Sequence, residues 1–134
     1  MTYDDAGWHY DTTAEHDLDY ACAATHIGMF FAWLVHHGMA DHGYVDLSPL
    51  LERTSTPGAF LLQRCAGEMN RSMVTDQGAA FVDAAYKGYL RVYQYIPEIA
   101  RCAVSYAAPD TWETYDAVSP VIDEAYAVYT SNNT

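Results

Sequence analysis

Apolar positions recur along this chain with helical spacing. Over residues 20–37, Ala23, Ile27, Phe30, Phe31, Trp33, Leu34 and Val35 leave almost no polar stripe, which predicts a central helix buried on all sides. Over 76–96 the pattern is one-sided. Val82, Ala85, Tyr89, Val92 or Tyr93, and Ile96 share a face, while Asp83, Lys87 and Arg91 follow one another by four on the other, so an amphipathic helix ends at Pro97. Shorter helices are predicted at 49–53, 57–66, 97–105, 111–117 and 120–129, separated by turns at Gly38, Gly43, Gly67 and Pro109. No stretch alternates with period two, and the pattern as a whole predicts an all-α, single-domain helical bundle.

Helix starts carry their own chemistry. Ser48-Pro49, Thr56-Pro57 and Ser119-Pro120 each place a hydroxyl before a proline. The hydroxyl accepts from an orphan N–H at the helix start, and proline at the first helical position lacks a donor that would go unused. Asp110 with Glu113 predicts a fourth start, of the capping-box kind. Residues 1–19 are polar, acidic and without period, with Tyr3, Trp8 and Tyr10 as apolar anchors. They are expected to form an extended acidic arm packed on a helical domain of residues 20–131, with 132–134 as a frayed tail.

Composition sharpens this picture. A chain of 134 residues, half of them hydrophobic and twelve of them tyrosine, buries a core and is not a disordered acidic tail. Eighteen acids stand against six bases, and nine of those acids precede the first base, Arg53. Such a field repels nucleic acid and anionic lipid and attracts basic protein surfaces or cations, although it serves solubility equally well. Cys22, Cys65 and Cys102 have no CxxC spacing and are odd in number, which suits reduced thiols. Met1-Thr2-Tyr3-Asp4-Asp5 is acidic where a secretory signal needs a basic start, and no apolar run is long enough to span a membrane. The expectation is a cytoplasmic protein with neither nucleic acid nor membrane as partner; the oligomeric state is left open.

Candidate chemistry is sparse. No nucleophile elbow, phosphate loop, HExxH, EF-hand or zinc-finger spacing occurs, so no catalytic residue and no cofactor is assigned. The adjacent acids Asp4-Asp5 and Asp123-Glu124 read as solvated faces. Of the six histidines, His36 and His37 suit the carbonyls of a helix C-terminus, and His26 suits a satisfied core position. The metal alternative takes His9 and His26 with Asp5 as a nitrogen and oxygen set walled by Trp8 and Trp33. Aromatics interleaved with acids instead make Asp4, Asp5, Trp8, Tyr10, Asp17 and Asp19 candidates for docking a basic protein.

The segment Ala24-Thr25-His26-Ile27-Gly28-Met29-Phe30-Phe31-Ala32-Trp33, preceded by Tyr3-Asp4-Asp5-Ala6 and Trp8-His9, resembles a bacterial family of small uncharacterised proteins. Thr56-Pro57-Gly58 and Asp110-Thr111-Trp112-Glu113 are similar to it as well. That resemblance implies kinship without an activity. In size and charge the chain is also similar to bacterial immunity proteins, which cap a toxin with a negative surface. The expectation from sequence is therefore a protein-binding module of the immunity type, facing a basic toxin and not acting as an enzyme, with the metal-binding reading as the alternative.

Overall fold

The computed structural model describes residues 1–132, and most of them are helical. In chain order, strand β1 (Thr2–Asp5) runs through a 3-10 turn (Ala6–His9) into helix α1 (Tyr10–Glu15), and a second 3-10 turn (Tyr20–Ala24) leads into α2 (Thr25–His36). Then come α3 (Ser48–Leu51), α4 (Pro57–Cys65), β2 (Glu68–Asn70) and a 3-10 turn (Arg71–Met73). The chain closes with α5 (Asp76–Tyr93), α6 (Pro97–Ala100), the 3-10 turn Ser105–Ala107 and α7 (Trp112–Asn132).

The all-round apolar pattern of α2 has the meaning that the sequence assigned to it. Every residue from Thr25 to Val35 is buried, and α3, α4 and α7 pack around the helix. Its first turn is 3-10 rather than α, so the helix begins at Thr25 and not at residue 20. The approach of α4 is so close at Gly28 that a Cβ there would lie 2.5 Å from the Pro57 carbonyl oxygen, which only glycine avoids. Phe30 and Trp33 reach across to Phe81 of α5, and Tyr126 of α7 closes the same cluster.

Three expectations at element boundaries are corrected. Ser119-Pro120 does not start a helix: Pro120 lies inside α7, which runs unbroken from Trp112 to Asn132. Pro120 and Asp116 are both solvent-exposed, so the break that proline makes falls on the outer side of the helix, while Tyr115, Val118 and Ile122 bury on both sides of it. Packing of the two halves outweighs the local break. Asp110 does not cap the helix that follows it either; Thr111 does, its hydroxyl accepting from the Thr114 N–H at 3.1 Å. Finally, Asn132, assigned to a frayed tail, is the last residue of α7, and residues 133–134 lie outside the described part.

The N-terminus departs furthest from the pure bundle. Of residues 1–19 only Thr2–Asp5 are extended, and they pair antiparallel with β2, Asp4 opposite Met69 and Asp5 opposite Glu68. Strands of four and three residues are too short to show period two in the sequence. The pairing has one outcome that matters for function. Asp4 is the single buried position of β1, and it enters the protein side by side with the start of α2 and the middle of α5.

Candidate metal centre

Alternation along a strand sends neighbouring side chains to opposite faces. Here it separates Asp4 from Asp5. Asp5 turns outward, and its carboxylate accepts from the Gly7 N–H at 2.7 Å, capping the 3-10 turn that follows. Asp4 turns inward and is 3% exposed. That tight turn brings His9 back over β1, so that His9 Nε2 lies 2.7 Å from Asp4 Oδ1. Oδ1 also accepts from the Asp5 N–H at 2.8 Å, and Oδ2 accepts from the Tyr86 hydroxyl of α5 at 2.6 Å.

His26, in the first turn of α2, completes the cluster. Its Nε2 lies 3.4 Å from Asp4 Oδ2 but makes no hydrogen bond there, and the residue is 5% exposed. Its ring meets that of His9 edge to face at 4.5 Å between centroids, and its carbonyl accepts from the Tyr89 hydroxyl at 2.6 Å, fixing the helix start against α5. On the outer side, His9 Nδ1 is 2.5 Å from the Tyr106 hydroxyl. With Asp4 ionised, His9 donates from Nε2 to the carboxylate and accepts at Nδ1 from Tyr106.

The electrostatics follow from this packing. Burial by itself would raise the Asp4 carboxyl, but the imidazoles of His26 and His9 and the Tyr86 hydroxyl outweigh it and hold the carboxyl well below the usual carboxylate range. Burial lowers His26, against the pull of Asp4, and so favours the neutral ring. Tyr86 is pushed well above its ordinary value, first by burial and then by the charge of Asp4. The result is an ionised carboxylate facing two imidazole nitrogens, with the ligand atoms of Asp4, His9 and His26 all within 4.8 Å of one another.

The sequence-predicted residues are divided by the fold. His9 and His26 come together, but Asp5 is not with them; Asp4 stands in its place. Asp4 in turn is withdrawn from the docking surface to which the sequence assigned it, because it is buried. Trp8, 64% exposed, Tyr10, 50% exposed, and the exposed Asp17 and Asp19 do face solvent, with Asp5 half-buried among them. Neither tryptophan walls the cluster: Trp33 stacks on His37 at 3.8 Å and donates to Asp123 at 2.8 Å. His36 and His37 bond to the carbonyls of Leu50 and Trp33, at 3.0 and 2.8 Å. Tyr86 and Tyr89 were invisible as site residues because tyrosines at helical spacing suit a core, and Tyr106 because it sits in a turn with no local motif around it. Asp5-Ala6-Gly7 was the one legible signal: an aspartate two residues before glycine favours the turn that takes Asp5 out of the cluster.

Two cavities bear on this geometry. The larger cleft, about 690 Å³, runs between α5 and α7 and is walled by aliphatic side chains such as Ala85, Val92, Val121 and Val128, with no convergent ionisable set. The smaller, about 140 Å³, is lined by His9 and His26 themselves together with Leu90, Tyr93, Ser105 and Tyr106. A family model described as a domain of unknown function (DUF7832) matches residues 2–110. The chain belongs to this family. The DUF7832 match takes in Asp4, His9, His26, Tyr86 and Tyr106 and stops before α7. No curated protein and no solved structure matches the chain. No helix among the described residues is long and apolar enough to cross a membrane.

Proposed function

We propose that this DUF7832 protein binds one divalent first-row transition-metal ion through Asp4, His9 and His26. The observation that carries the reading is His26 Nε2, a buried nitrogen without a hydrogen-bond partner, aimed at an ionised carboxylate that already holds a second imidazole. A buried imidazole nitrogen left unpaired costs free energy, and a cation beside it removes that cost. Two nitrogens and one carboxylate oxygen suit zinc, iron, nickel or copper rather than calcium or magnesium. Bonds of about 2.0–2.2 Å place ligand atoms about 3–3.5 Å apart; His9 Nε2 lies 2.7 Å from Asp4 Oδ1 and His26 Nε2 3.4 Å from Asp4 Oδ2, so the two imidazoles meet the two oxygens of one carboxylate.

The surroundings have the form of a second ligand shell. Tyr86 and the Asp5 N–H orient the carboxylate, Tyr106 orients His9, and Tyr89 fixes the backbone of His26. Titration of the untagged, metal-stripped protein with zinc by calorimetry is expected to give one tight site per chain. That site disappears in His26→Ala and persists in His42→Ala, whose histidine is exposed and outside the cluster. Wild-type protein that takes up no stoichiometric metal refutes the reading.

A second reading, docking of a basic protein of the toxin kind, is favoured by the outer face of the same segment, where Trp8 and Tyr10 stand exposed beside Asp11, Glu15, Asp17 and Asp19. Affinity capture at low and high salt tests it. A stoichiometric basic partner, lost at high salt and weakened by neutralising Asp17 and Asp19, is the expected result; capture indifferent to salt removes the electrostatic basis.

A further inference from the structure

We infer that the metal at this centre keeps one exchangeable position, open to the small cavity between α5 and the Ser105–Ala107 turn, and takes there a small monoanionic oxygen or nitrogen donor such as hydroxide. This rests on the metal-binding reading and goes beyond it, since a metal held for structure alone needs no such position.

Ligand number is the first argument. Among the described residues the cluster offers three protein ligands, Asp4, His9 and His26. Structural zinc sites close their coordination with four protein ligands, whereas reactive ones use three and leave the fourth position to water or substrate. The cavity is the second argument. Its wall includes both imidazole ligands, so the space adjoins the metal position. At about 140 Å³ it has room for roughly four or five waters at their liquid volume of about 30 Å³ each.

Lining chemistry supplies the third. Tyr93, 5% exposed, carries a buried hydroxyl without a hydrogen-bond partner, and Ser105 and Tyr106 add two more hydroxyls to the same wall. A buried polar group left over at a cavity, here the Tyr93 hydroxyl, marks a place for a polar occupant. Charge selects its sign. A divalent ion with one carboxylate and two neutral imidazoles retains a single positive charge, which one small anion neutralises, while the acidic exterior of the chain disfavours polyanions. Access is provided at the rim, where Leu90 is partly exposed and Ser105 and Tyr106 are half-buried. A metal-bound water in such a setting ionises near neutral pH, which makes the centre a Lewis-acid site able to present hydroxide to a small electrophile.

The test uses the cobalt(II)-loaded protein, whose visible absorption bands report the coordination of the ion, titrated with sodium azide as the small monoanion. Wild-type protein is expected to show a saturable spectral change. Leu90→Trp, which replaces no ligand and crowds the cavity from one of its lining positions, is expected to keep the cobalt stoichiometry and weaken azide by about tenfold or more. Cobalt bound at one equivalent with a spectrum indifferent to azide overturns this inference and leaves the metal-binding reading intact. Azide binding unchanged in Leu90→Trp overturns the assignment to this cavity. Failure of cobalt to bind at all defeats the metal-binding reading, and the inference with it.

Discussion

Asp4 and Asp110 are two aspartates that tie distant parts of this chain together, and they are satisfied in opposite ways. Asp110 reaches back to the start of α4, where its carboxylate accepts from the Gly58 N–H at 2.7 Å, the Ala59 N–H at 2.9 Å and the Thr56 hydroxyl at 2.6 Å. These are orphan donors of a helix N-terminus, and one carboxylate consumes them. Gly58 has no side chain for the same reason: a Cβ there would sit 2.9–3.0 Å from the carboxylate atoms. Around Asp4 the donors are one imidazole, a tyrosine and one backbone N–H, and a second imidazole nitrogen, of His26, stands 3.4 Å away without a hydrogen bond. A carboxylate that caps a helix leaves nothing over; a carboxylate with surplus basic nitrogen beside it has room for a cation. The comparison separates an anchor from a site, although both are acids held by polar partners, Asp4 buried and Asp110 half-buried.

Removing each carboxylate in turn is the strongest way to break that comparison. Asp4→Ala is expected to lower zinc affinity by at least about 100-fold and to cost the metal-free fold about 3 kcal/mol, because the Tyr86 hydroxyl and His9 are left buried without their acceptor. Asp110→Ala is expected to cost about 2 kcal/mol through the lost cap of α4, with zinc affinity unchanged. Urea unfolding of the metal-free proteins gives the stabilities, and zinc calorimetry gives the affinities. Equal losses of affinity in the two variants would mean that Asp4 is one more structural anchor.

The two regions also differ in how far the sequence announces them. The starts at Pro57 and Thr111 were legible, the first from proline at a first helical position and the second from Asp110 with Glu113, although the capping group there is the Thr111 hydroxyl. What was not legible was that Asp110 serves α4 across more than fifty residues instead of its own helix; a capping acid reads the same whichever N-terminus it meets. The buried character of α2 was plain from its apolar run, whereas His9 with His26 entered only as an alternative, since nothing local in the sequence joins the two. The choice between Asp4 and Asp5 had only the turn signal of Asp5-Ala6-Gly7 to mark it, because the side each residue faces depends on the register of β1 on β2, and strands this short leave no periodic trace. A shift of one residue exchanges the two aspartates. The tyrosines that orient the ligands were hidden for a different reason: Tyr86, Tyr89 and Tyr93 are core residues along α5, and their hydroxyls become part of a site only once β1 and α2 are laid against that helix.

Tyr106 sharpens the comparison with the smallest effect. Its one hydrogen bond to the cluster is to His9, its hydroxyl lying 2.5 Å from Nδ1; its ring also meets that of His26 edge to face, and it lies half-buried at the rim of the cavity. When a cation occupies Nε2 the ring proton resides on Nδ1, and Tyr106 becomes the acceptor that fixes the tautomer and the plane of the ring. Tyr106→Phe therefore keeps the ring and its packing but is expected to lower zinc affinity by about tenfold, the lower end for a residue that orients a ligand. Its cost to the metal-free fold should be no more than about 1 kcal/mol, the net value of one hydrogen bond at a partly solvated position. A merely structural tyrosine would show the second effect without the first. Calorimetry on Tyr106→Phe beside Asp110→Ala thus places a small, affinity-selective change against a larger, stability-selective one. If the two variants moved along the same axis, the distinction between anchor and site would reduce to a difference in burial.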